Sequence, residues 1–62
     1  MKIVYRDAVW ELPGRMPVGQ AIKKVGLQPL AVLALRDGKL LTADVMVGES
    51  DTIKLIAVVS GG

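Results

Sequence analysis

Ile53-Lys54-Leu55-Ile56-Ala57-Val58-Val59-Ser60-Gly61-Gly62 closes the chain: an apolar run that stops in two glycines. Ile53, Leu55, Ala57 and Val59 fall on one side, and Thr52, Lys54, Ile56 and Val58 on the other. That alternation is the period of an extended strand. Its dense apolar content predicts a central place in a sheet, parallel to the first strand. Residues 60–62 are expected to form a flexible Gly-Gly tail ending in a free α-carboxylate. The remaining 59 positions are expected to form one domain that presents it.

The N-terminal segment has the same period. Met1, Ile3 and Tyr5 share one face, and Lys2, Val4 and Arg6 the other. Asp7-Ala8 suits a tight turn. Val9 to Leu12 then returns with Trp10 and Leu12 on one side, predicting an N-terminal hairpin with Trp10 in the core. Pro13-Gly14 ends it. Pro17 fits a first helical position, where its missing N–H costs nothing. Val18, Ala21, Ile22 and Val25 then form one apolar stripe, with Gln20, Lys23 and Lys24 opposite and Gly26 as the stop. Met16 is a poor N-cap, so this short helix must draw its stability from packing.

Gln28-Pro29 breaks the chain, and Leu30 to Arg36 is a second apolar run. It is read with Leu33 and Leu35 on one face and Val32, Ala34 and Arg36 on the other. Asp37-Gly38 is a strong two-residue hairpin signal, and Lys39-Leu40-Leu41 is its return strand. The polar stretch from Thr42 to Asp51 is expected to tuck Val45 or Val47 into the core. The whole predicts an α+β domain spanning 1–62: a mixed four- to five-stranded sheet with one helix packed on one face.

Composition narrows the function. At 52% apolar residues, the 62-residue chain can form a core, although so short a chain buries only roughly 60% of its unfolded surface. Histidine and cysteine are absent, which removes the commonest general base and metal ligand together with any thiolate. The six carboxylates look like turn and surface residues, so no catalytic residue and no metal site is predicted. A net charge of +2, scattered cations and only two aromatics argue against direct nucleic-acid binding. No apolar run approaches the ~18 residues of a membrane span. Met1-Lys2 leads straight into a strand pattern rather than a signal peptide, and a cytoplasmic protein is expected.

The element order and the terminal Gly-Gly resemble the ubiquitin-like β-grasp fold, and more narrowly the ThiS/MoaD group of small sulfur carriers. The segments that carry the likeness are Leu33-Ala34-Leu35-Arg36-Asp37-Gly38-Lys39-Leu40, Val47-Gly48-Glu49-Ser50-Asp51-Thr52-Ile53 and Val58-Val59-Ser60-Gly61-Gly62. Ser50-Asp51 departs from the Gly-Asp common in that group, and the approach to the last strand is compact. The resemblance implies that the chain is not an enzyme and binds no cofactor of its own. A ubiquitin-activating-like adenylating enzyme, using ATP and Mg²⁺, would adenylate the carboxylate of Gly62. A sulfur donor would convert it to a thiocarboxylate for a downstream synthase or tRNA-thiolating enzyme, serving thiamine, molybdopterin or thiolated tRNA. Gly61 and Ser60 would thread the partner's channel.

A docking surface is expected on the sheet face away from the helix. Val4, Ala34, Ile56 and Val58 are assigned there, with Lys54, Arg36 and Lys2 around them, because apolar residues facing water beside charges suit a partner. Two other functions fit the same residues. The C-terminus could be joined to lysines of target proteins, as a ubiquitin-like modifier is. Alternatively the domain could be a binding module without C-terminal chemistry.

Overall fold

The computed structural model describes residues 1–58; the expected tail and Val59 lie outside them. Nine short elements follow in order. They are β1 (Lys2–Tyr5), β2 (Ala8–Glu11), β3 (Met16–Pro17), α1 (Val18–Lys24), a 3-10 turn (Pro29–Ala31), β4 (Val32–Arg36), β5 (Lys39–Leu41), β6 (Met46–Val47) and β7 (Thr52–Ala57). The main sheet runs β2-β1-β7-β4-β5. The last strand is central, as its apolar content predicts. It pairs in parallel with β1, Ile3 beside Ile53, and antiparallel with β4, Ala34 opposite Leu55.

The helix lies on the sheet face that carries Met1, Ile3, Val32, Ala34, Ile53 and Leu55. These six join Val18, Ala21 and Ile22 of α1 and Met16 and Val47 in one buried cluster. Ile3, Ile53 and Val18 are fully enclosed. Each such side chain contributes about 1.5–3 kcal/mol relative to exposure. Trp10 and Leu12 pack against this cluster as the alternation predicts, and Val47 rather than Val45 is the residue that enters it.

Three details differ from the sequence reading. The first hairpin turns at Arg6-Asp7, with Arg6 left-handed at φ 53°, so Ala8 already belongs to β2. Pro17 caps the helix rather than opening it. Before α1, Met16–Pro17 pair with Met46–Val47 in a second, two-stranded sheet too short to leave a periodic signal. The Asp37-Gly38 turn is as predicted. Both residues have positive φ, 53° and 78°, and they set Arg36 opposite Lys39.

The helix start has no side-chain cap. The 43–45 loop supplies backbone acceptors instead. Val18 N–H donates to the Val45 carbonyl and Gly19 N–H to the Ala43 carbonyl, both at 2.9 Å. This satisfies two of the donors that every helix N-terminus leaves open. The approach is close enough to require glycine. A Cβ on Gly19 would lie 2.9 Å from the Ala43 Cβ and 3.1 Å from its carbonyl oxygen.

Gly19→Ala therefore sets two effects against each other. Helix propensity alone would raise stability by up to ~1 kcal/mol. Forcing the Ala43 backbone aside costs about 1–3 kcal/mol. A net loss is expected in urea denaturation, and a net gain would show that the loop yields without strain.

Candidate functional site

With the helix on one side, the other face of the main sheet is open. Its rows follow from strand register. One row crosses all five strands as Val9, Val4, Lys54, Leu35 and Leu40. Towards the beginning of β7 the next row is polar: Glu11, Lys2 and Thr52. Towards its end Ile56 faces Leu33. Val58 follows β7, and its N–H donates to the Ala31 carbonyl at 2.9 Å as the last described rung beside β4.

The open face thus passes from polar to apolar in the direction in which β7 runs. Thr52, Lys54 and Ile56 of β7, with Val58 just after it, record that gradient. Val9, Leu33, Leu40, Ile56 and Val58 are between 42% and 60% exposed, a large share for such side chains. Lys54 is the cation near the middle of the face. Among the described residues no three acidic side chains gather to hold a metal ion, and no helix is long and apolar enough to cross a membrane.

Of the residues assigned to this face, Val4, Lys54 and Ile56 lie on it, and Val58 is exposed just beyond it. Ala34 and Arg36 do not lie on it. Ala34 is buried among the core residues, opposite Leu55. Directly opposed residues of antiparallel strands share a face, so pairing with β7 turns Val32 and Ala34 inward and Leu33 and Leu35 outward. The run from Leu30 to Leu35 has no polar residue to mark its phase.

Arg36 has the inward parity but stands at the end of β4, where its guanidinium reaches the rim. It donates to Asp51 Oδ2 at 3.2 Å and to the Met46 carbonyl at 3.4 Å. Asp51 Oδ2 also accepts the Gly48 N–H at 2.8 Å. The Gly48 hydrogen bond is the main cause that holds the Asp51 carboxyl below its ordinary range; desolvation opposes it, and the Arg36 charge and hydrogen bond add to the lowering. The Asp51 carbonyl in turn accepts the Lys2 N–H at 2.9 Å, so this cluster fixes the entry of β7 beside β1.

Val9, Leu33 and Leu40 are residues of the open face that the sequence reading did not single out. Val9 alternates with Trp10 and could have been placed from that alone. Leu40 follows from the Asp37-Gly38 turn, which sets it opposite Leu35. Leu33 required the phase of β4. Ser60, Gly61 and Gly62 lie outside the described residues.

A helix laid on a mixed sheet whose central last strand runs parallel to its first is the ubiquitin-like β-grasp fold. No protein-family model matches the chain. Over 52 residues, 84% of this chain and 80% of the relative, it is 36% identical to the sulfur carrier protein TtuB of Thermus thermophilus. The chain belongs to the ThiS/MoaD-type sulfur carriers of the ubiquitin-like β-grasp family, and it is a carrier rather than an enzyme.

The Asp51 cluster has a pH signature. Its carboxyl is lowered on folding from an ordinary 3.8, so its contribution to stability is complete above that value and is lost as pH falls through the folded value. Asp51→Asn is expected to be less stable than the parent chain at pH 7 and to converge on it below pH 3.8 in denaturation curves. A gap that stays constant into acid would mean that the carboxylate charge is not its source.

Proposed function

We propose that the chain carries sulfur on the C-terminal carboxylate of Gly62. The sulfur-carrier relative, matched over 84% of the chain, is the observation that carries this reading. The geometry supports it: the open face is apolar at the end of the central strand, at Ile56 and at Val58, the last described residue before the final four. In this reading the chemistry is done by partners.

In the first step a Gly62 carboxylate oxygen attacks the α-phosphorus of ATP, held with Mg²⁺ by an adenylating enzyme. An O–P bond forms and pyrophosphate leaves. In the second, a sulfur nucleophile from a donor attacks the acyl carbon, a C–S bond forms and AMP departs with the former carboxylate oxygen. Sulfide gives the thiocarboxylate directly; a persulfide donor also needs a thiol to cleave the S–S bond. The thiocarboxylate then serves a cytoplasmic acceptor, either a synthase of thiamine or molybdopterin assembly or a tRNA-thiolating enzyme. Gly61 and Ser60 thread the enzyme's channel, because glycine lets backbone approach closely. Val4, Lys54, Ile56 and Val58 form the docking surface.

Deletion of Gly62 is expected to abolish carrier-dependent ATP–pyrophosphate exchange by the adenylating enzyme while leaving the denaturation midpoint unchanged. Exchange that survives the deletion would remove Gly62 from the chemistry. Ile56→Asp, on the exposed face, is expected to raise the KM for the carrier at least ~tenfold, in the range of interface hot spots. An unchanged KM would remove Ile56 from the docking surface.

A further inference from the structure

Leu30 is 95% exposed, more than any other large apolar residue described. It belongs to no row of the open face. It sits on the 3-10 turn Pro29–Ala31, between the proline that starts the turn and the residue whose carbonyl receives the Val58 N–H. The turn is firmly held. Pro29 fixes its own φ, and Ala31 N–H donates to the Gln28 carbonyl at 2.9 Å. On its other side Leu30 borders a shallow groove with Leu27, Gln28, Lys23 and Gly19. A leucine presented to water on a pinned turn loses little further backbone freedom on binding, the property that suits an anchor.

We propose that Leu30 is an anchor for the enzyme that activates the C-terminus, seated in an apolar pocket of that enzyme beside its tail channel. The inference rests on the Gly62 reading and extends its interface to the turn that precedes β4. Length is the argument for this occupant. Gly62 is four residue steps beyond Val58, and fully extended those steps span at most about 14 Å. Any active site that takes the Gly62 carboxylate therefore brings its enzyme's surface close to Val58. Val58 is hydrogen-bonded to Ala31, the neighbour of Leu30. An enzyme that covers Ile56 and Val58 then lies close to the turn, where Leu30 is the exposed apolar side chain.

The experiment is ATP–pyrophosphate exchange by the adenylating enzyme of the chain's own source, with the full 62-residue chain as the varied substrate. Leu30→Ser is expected to raise the KM for the carrier at least ~tenfold, with kcat within about twofold and the denaturation midpoint unchanged. Leu30→Met, which keeps an apolar side chain of similar volume, is expected to restore the KM. An unchanged KM for Leu30→Ser, with exchange by the parent chain dependent on Gly62, overturns the anchor and leaves the Gly62 reading standing. An unchanged KM with a slowed later sulfur transfer also overturns it and moves Leu30 to the sulfur-accepting partner. Exchange by the parent chain that does not depend on Gly62 overturns both readings.

Discussion

The pairing of β7 on both of its edges is the constraint from which the rest of the structure follows. Parallel to β1 on one side and antiparallel to β4 on the other, the strand places Ile53 and Leu55 beneath the helix and Lys54 and Ile56 on the open face. Its entry is fixed by the Asp51 cluster, where one carboxylate oxygen binds both the Gly48 N–H and the Arg36 guanidinium. Its far end is held by the Ala31 carbonyl. The strand is thereby secured at each end by groups that lie outside it. A one-residue slip would exchange its buried and exposed faces.

That arrangement suits a carrier. A domain this small has few residues to spare, and its helix, core and turns serve to hold one strand in register. The apolar end of the open face, where the docking surface is proposed, lies next to the strand's end. A carrier exchanged between enzymes gains from such a surface being moderate in size, since only a few well-placed side chains need supply most of the binding energy.

The central last strand, its parallel partner, the helix stripe and the Asp37-Gly38 hairpin were legible because each has a local signature. Period two, period 3.6 and paired positive φ leave marks in a sequence that packing does not alter. The phase of β4 was not legible. An unbroken apolar run alternates in shape without alternating in polarity, and the long reach of Arg36 lets an inward-parity residue keep its charge at the rim. The β3–β6 pairing and the backbone capping of α1 were also beyond reach, because both depend on carbonyls that any residue carries. Leu30 was visible in the sequence as one apolar letter in a run. Its exposure follows from the 3-10 turn that Pro29 begins, which detaches it from the strand after it.

The measurement that tests the central claim most directly is the intact mass of the chain isolated from its own cells without reductant. The account predicts a fraction heavier by the exchange of one oxygen for one sulfur, with the increment confined to the C-terminal peptide and lost from the Gly62 deletion. An increment found elsewhere in the chain, or one that persists after the deletion, would contradict it.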